Sequence, residues 1–255
     1  MPPAAPPPTR FLLIAAAPAE AMAILRGLGQ PEGDPPAPWT LSQAGARFDL
    51  LLCGVGKANA SGATALLFDP ARHCGALSLG VAGALPGSGL EIGDAVLATQ
   101  SIYTDEGAAT PEGFSDMASM GFPPIEPSSD DAIPGDTPMG VGPDPDLFKR
   151  LRPLTEATGP IATVSTCSGT DALAEATAAR VNAIAEAMEG AAIGFTLRRR
   201  ALSDPLPQLV PFAELRVISN TTGDRGRQKW DLRLALTRLS EITAQLAGAL
   251  ADEDR

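Results

Sequence analysis

The chain has 255 residues, 44% of them hydrophobic, with 26 Gly and 25 Pro. That length supports one large α/β domain or two small ones around a buried core, and the apolar content excludes a disordered polymer. The net charge of −11 argues against nonspecific binding to nucleic acid or to an anionic membrane surface, although an anionic small molecule would need only a local basic patch.

Residues 1–9 read as a Pro-rich disordered tail. Arg10, the apolar run after it and Ala-Pro-Ala have the outline of a secretory leader, but MPPAAPPPT supplies no basic stretch ahead of the run. Residues 11–16 therefore read as a strand buried on both faces, and a cytoplasmic location is expected. No stretch reaches the roughly 18 uninterrupted apolar residues of a membrane span. Helical spacing covers 19–28 and stops at Gly29. Short strands are expected at 39–43 and 48–52, an Ala-rich helix at 57–68, and strands at 76–81 and 95–102. The segment 104–145, rich in Pro, Gly, Ser and Asp, is too long for an ordinary connection and reads as a loop-rich functional insertion or lid. A helix at 146–157, a β-branched strand at 161–166, a helix at 171–180, a strand at 182–188 and a helix at 189–202 follow. A strand at 212–219 and a long amphipathic helix at 228–251 close the chain. Strand–helix alternation throughout predicts a single α/β domain over 10–255, with a central mixed, largely parallel sheet flanked by helices.

Cys53, Cys74 and Cys167 are odd in number, widely spaced and form no CxxC. A disulfide framework or structural zinc site is not expected. His73 is the only histidine. It allows no multi-histidine metal site, and it reads as a loop or helix-end residue. Neither a metal nor a cofactor is expected.

In sheets of this type ligands bind beyond the carboxyl ends of strands. The residues at those positions are Glu20, Gly54–Lys57, Gly80–Gly83, Met188-Glu189 and Ser219-Asn220. GVGK at 54–57 is neither a P-loop nor a dinucleotide fingerprint. Taken singly, each of these also has a plain structural reading as a tight turn, a strand-end bend or a helix cap.

Their order and spacing carry more information. GVGKANA at 54–60, LGVAGALPGSGLEIGDAV at 79–96, AMEGAAI at 187–193 and PFAELRVISN at 211–220 resemble the purine nucleosidases typified by methylthioadenosine/S-adenosylhomocysteine nucleosidase, within the nucleoside phosphorylase superfamily. The likeness runs from Arg10 into the final helix, and 104–145 matches poorly. AAPAEAMAILRGL at 16–28, GFP at 121–123 and ISNTTGDRGRQKWDL at 218–232 are most similar to the futalosine hydrolase branch. The resemblance implies the nucleoside phosphorylase-like three-layer fold and hydrolysis of an N-glycosidic bond to hypoxanthine. It also implies a homodimer in which a partner chain helps close the site.

The resemblance also implies site residues. Glu20, the only carboxylate of its loop, takes the place of the water-activating glutamate; Met22 is the other alignable position, and Asp105 and Glu106 are the next carboxylates to consider. Met188 and Glu189 match the pair that packs the sugar and binds its hydroxyls. Val81, Ala82 and Gly83 match the ribose- and base-lining segment, and Thr170 and its neighbours lie where the base-pocket wall comes. Asn220 stands where adenine-specific relatives carry Asp. Its oxygen can accept from a protonated N7 and its NH2 can donate to a 6-oxo group, a pattern that suits hypoxanthine or guanine. The segment 77–83 lacks the cation of phosphate-using relatives, which favours water as the nucleophile. Arg225, Arg227 and Lys229 are candidates for a substrate 5′ carboxylate, with Trp230 lining the same region. The alternatives are a methylthioadenosine/S-adenosylhomocysteine or inosine nucleosidase, and a nucleoside-binding protein without catalysis.

Overall fold

The apolar runs of the sequence become the inner strands of one sheet because every side chain in them is needed on one face or the other. The computed structural model describes residues 9–31, 33–124, 135–203 and 209–251. The expected tail at 1–9, apart from Thr9, lies outside the described residues, as do 125–134 of the long insertion. In chain order the elements are β1 (Arg10–Ala15), α1 (Pro18–Gly27), β2 (Leu41–Gln43), β3 (Phe48–Leu52), α2 (Lys57–Leu67), β4 (His73–Ala84), β5 (Ala95–Tyr103), β6 (Gly107–Thr110), β7 (Gly113–Asp116), β8 (Gly140–Val141), α3 (Pro145–Leu151), β9 (Ala157–Thr163), α4 (Asp171–Val181), β10 (Ala185–Ala187), α5 (Gly190–Ser203), β11 (Phe212–Thr221) and α6 (Leu232–Ala249).

Successive side chains of a strand point to opposite faces, and β1 shows what this does to a continuous apolar run. Phe11, Leu13 and Ala15 enter one core with Ile24 of α1 and Leu239, Ile242 and Leu246 of α6. Leu12 and Ile14 enter a second core on the other face with Ala60 and Ala63 of α2 and Ile193 and Leu197 of α5. The result is the expected three-layer arrangement of helices, sheet and helices. Among the described residues the sheet has nine strands in the order β10-β9-β5-β11-β4-β1-β3-β2, with β8 added on β5. Five of the pairings are parallel (β1 with β3 and β4, β11 with β4, β9 with β5 and β10), while β5–β11, β2–β3 and β5–β8 are antiparallel. The far end of β4 also pairs antiparallel with β10, so that Gly83 meets Glu186 and Ala84 meets Ala185. That closure brings the ends of β4, β10 and β11 to one rim.

Five expectations change. The helix expected at 146–157 ends at Leu151. Pro153 lies in a following 3-10 turn, where its missing N–H and fixed φ do not extend an α-helix. The strand then starts at Ala157, earlier than expected, and Pro160 sits where the β5–β9 register shifts, a place that tolerates a residue without a ladder donor. The last helix begins at Leu232, because the Asp231 side chain caps it by accepting from Leu234 N at 2.8 Å. The described part of 104–145 is not simply loop, since β6 and β7 pair as a hairpin and β8 adds to β5. His73 is neither in a loop nor at a helix end: it opens β4, buried, with Nε2 3.1 Å from Asp49 Oδ2. Its Nδ1 accepts from Asp69 N at 3.0 Å, so in the neutral ring Nε2 carries the proton and donates to Asp49. Among the described residues no helix is long and apolar enough to cross a membrane.

Candidate active site

The first turn of α1 places Glu20. Ala17 at the helix N-cap has no side-chain acceptor for the first-turn amides, and the Glu20 carboxylate at the third helical position reaches back to the N-cap backbone. Its Oε2 accepts from Ala17 N at 2.9 Å and Ala16 N at 3.1 Å, while Oε1 accepts from Val81 N on β4 at 2.8 Å. The side chain is only 5% exposed. Burial pushes its carboxyl above the ordinary glutamate range, with the Glu189 charge acting in the same direction, against Arg216 and the Val81 and Ala17 amides.

A buried guanidinium organises the centre. Arg216 and Glu214 lie two apart on β11, so they share a face. Arg216 Nε donates to Glu214 Oε1 at 2.8 Å, and Nη2 donates to Ser78 Oγ at 2.9 Å and lies 3.2 Å from Glu189 Oε2. Burial works against its charge, but Glu214, Glu189 and Glu20 together reverse this and hold it firmly protonated. Glu189 is held from a second side by Gly56, whose N–H donates to Oε1 at 3.0 Å. Gly56 has φ +93°, which explains why the turn before α2 needs glycine there. Gly80 is a second required glycine. A Cβ at that position would collide with Glu20 Oε1 and stand 2.6 Å from Arg216 Nη1.

These groups border a cavity of about 260 Å³. Glu20, Val81, Gly83, Glu186, Glu189 and Asn220 are among the residues that line it. Asn220 Oδ1 accepts from Ser219 Oγ at 2.8 Å and Nδ2 donates to Thr221 O at 3.0 Å. Each amide head atom retains one further bonding position for a ligand. An isolated bridge joins Asn220 to Trp230, which brings the indole to the cavity although it stays 51% exposed. The cavity thus carries carboxylate acceptors at Glu20 and Glu189 and an amide with both a donor and an acceptor position at Asn220.

Residues 10–251 match the family described as the phosphorylase superfamily. A futalosine hydrolase of Acidothermus cellulolyticus is 33% identical over 243 residues, 95% of this chain and 92% of that protein. The chain belongs to the futalosine hydrolases of that superfamily. A second futalosine hydrolase, from Streptomyces coelicolor, is 31% identical over 83% of each chain. Among solved structures, a 5′-methylthioadenosine/S-adenosylhomocysteine nucleosidase from Neisseria meningitidis superposes with TM-score 0.69 over 95% of this chain and 100% of its own, at 20% identity. That likeness shows the shared fold.

In this futalosine hydrolase family member, eight of the nine residues singled out from the sequence line the one cavity: Glu20, Val81, Ala82, Gly83, Met188, Glu189, Asn220 and Trp230. Thr170 does not. It is exposed, and its Oγ1 accepts from Leu173 N at 3.2 Å to cap α4; Cys167, Ser168 and Gly169 form that wall instead. Met22 is partly buried against the core beneath α1. Asp105 is tied to Lys57 and to the amides of Ser165 and Thr166, and Glu106 also reaches Lys57. Of the basic run after β11, Arg225 lines the cavity, with its guanidinium 5.1 Å from the centre of the Trp230 ring. Arg227 is turned away to Asp171 and Asp224.

Sequence reading missed Arg216, Glu214 and Glu186. The signal was present as charges embedded in strand-forming runs, PFAELRVISN and AIAEAM, because charge is almost never fully buried unless paired. Among the described residues no cluster of His, Cys, Asp and Glu could hold a metal ion. Burial, reinforced by Glu189, pushes the Cys53 thiol up to about 12, which leaves it unsuited to act as a nucleophile.

Proposed function

We propose that the cavity hydrolyses the N-glycosidic bond of futalosine, releasing hypoxanthine and dehypoxanthinylfutalosine in menaquinone biosynthesis, with the chain working as a cytoplasmic homodimer. The observation that carries this reading is that Glu20 and Asn220, assigned to opposite ends of a nucleoside, line one cavity with Glu189 and Met188. The identity to futalosine hydrolases over most of the chain supports the choice of nucleoside.

Each group has a task in breaking a bond through an oxocarbenium-like transition state. Glu20 takes a proton from the attacking water, and its elevated proton affinity suits a general base near neutral pH. Glu189, held between Arg216 and the Gly56 amide, accepts from the ribose hydroxyls while Met188 packs the sugar. Asn220 accepts from N7–H once N7 has taken a proton from solvent, and donates to O6, which stabilises the neutral leaving base. Water is favoured over phosphate because Arg216, the buried cation at this end, is already surrounded by Glu214, Glu189 and Glu20. An incoming phosphate would meet excess negative charge.

Incubation with futalosine, inosine and methylthioadenosine, with and without phosphate, followed by chromatography of the free base, tests the reading. Futalosine is expected to be cleaved fastest, without a phosphate requirement. Faster release of adenine from methylthioadenosine, or binding without turnover, would overturn it.

A further inference from the structure

Gly83 is the register partner of two residues from different strands, Asn220 on β11 and Glu186 on β10. Residues paired across neighbouring strands project to the same side. Asn220 and Glu186 therefore stand on either side of Gly83. A Cβ on Gly83 would collide with Thr222 Cγ2 at 2.7 Å and stand 3.1 Å from Asn220 Nδ2 and 3.6 Å from Glu186 Cγ, so the two side chains approach one another only because this position is glycine. Both side chains line the cavity.

Glu186 lines the cavity yet is only 6% exposed. Its protein partner is Ser168, whose N–H donates to Oε1 at 2.8 Å and whose hydroxyl donates to Oε2 at 2.5 Å. A carboxylate has about four acceptor positions, so one remains on each oxygen. Among the described residues no cation forms an ion pair with it. A buried carboxylate with vacant acceptor positions and no counter-charge is costly unless something donates to it. The hydrolysis described above assigns it no task.

We propose that Glu186 accepts the N1–H of the purine and is, with Asn220, the determinant of 6-oxopurine specificity. The inference rests on the reading of this cavity as a hypoxanthine nucleoside site. Hypoxanthine carries a proton on N1 and an oxygen on C6. Adenine presents a bare lone pair at N1 and an amine at C6. A carboxylate facing N1 bonds to the first base and repels the second. Asn220 reads N7 and O6 from one edge, and Glu186 reads N1 from the other.

Glu186→Gln gives a directed test. Ser168 N can only donate, so it holds the amide oxygen, and the NH2 group falls on the hydroxyl side with one hydrogen free for a purine N1. Wild-type kcat/KM for futalosine over that for its 6-amino counterpart is expected to exceed about 100-fold. In Glu186→Gln this ratio is expected to fall at least tenfold, whereas a purely structural role would lower both substrates alike. An unchanged ratio in a protein that still cleaves futalosine overturns the inference and leaves the proposed function intact. Calorimetric binding of free bases to the wild type needs neither a variant nor turnover. Hypoxanthine is expected to bind at least tenfold more tightly than adenine or 1-methylhypoxanthine, and equal affinities overturn the assignment even if futalosine proves not to be the substrate.

Discussion

Two clusters of buried charge sit at opposite ends of the central strands, with opposite stoichiometry. At the foot, Asp49 of β3 is fully buried among Arg10, Arg72 and His73, accepting from Arg10 Nε at 3.0 Å and from Arg72 Nη2 at 2.8 Å. At the rim, the single Arg216 faces Glu189, Glu214 and Glu20. Burial opposes ionisation in both places. At the foot the hydrogen bonds from Arg72, Arg10 and His73 prevail over burial and hold the Asp49 carboxyl well below the usual carboxylate range. At the rim one cation divided among three acids does not prevail, and Glu20 is raised. The foot is a closed lock that joins the starts of β1, β3 and β4. The rim keeps one carboxylate that still takes up a proton readily.

The largest expected effects separate the two clusters. Glu20→Gln should lose at least about a hundredfold in kcat, the lower range for removing a positioned base, with an unchanged circular dichroism spectrum. Near-wild-type turnover would move the base elsewhere. Asp49→Asn should do the opposite, lowering stability by about 3 kcal/mol in chemical denaturation, because two guanidiniums lose their partner, while the folded fraction keeps wild-type turnover. If Asp49→Asn abolished turnover without loss of stability, the two ends would not be functionally distinct.

The pH dependences should also run in opposite senses. Asp49 has a depressed folded pKa, so its contribution to stability is present above the unfolded value near 4 and is lost as pH falls through the folded one. Glu20 has a raised folded pKa, so ionising it costs stability as pH rises from the unfolded value through the raised one. In the proposed hydrolysis its ionised form is the base. The acid limb of kcat/KM should therefore report a group above the ordinary glutamate range, and Glu20→Gln should remove that limb. A limb at an ordinary glutamate value that survives the substitution would assign it to another residue.

The same contrast explains what was legible in the sequence. The α/β alternation and the strand-end residues could be read because apolar periodicity and Gly-bearing turns are local signals. Arg216 was harder, since its role depends on Glu189, distant in the chain, and on Ser78 of β4. Glu186 was hidden for a related reason: its place beside Asn220 follows from the bending of β4 onto β10, a closure that no local pattern records. Thr170 failed in the other direction. Thr at a helix start is foremost a cap, and of the stretch read together with it the neighbours Cys167, Ser168 and Gly169 line the cavity.

The smallest expected effect carries the contrast to the surface. Arg227 is closed as the foot is, paired with Asp171 and with Asp224 at 2.7 Å. Arg225 is open as the rim is: it lines the cavity over the Trp230 ring, and among the described residues its guanidinium pairs with no acid and makes a 3.4 Å contact to Gln228 Oε1. If the exposed basic run receives the 5′ carboxylate of the substrate, Arg225 is the residue free to do so. Exposed pairings of this kind are worth little, so Arg225→Ala should raise KM for futalosine only about two- to fivefold, leave kcat unchanged, and show the effect most clearly at low salt. Arg227→Ala should leave KM within about twofold, because its charge is already spent on two acids. Equal KM values for both variants and the wild type would remove this run from recognition. The 5′ end would then need a donor from outside the described residues or from a second copy of the chain.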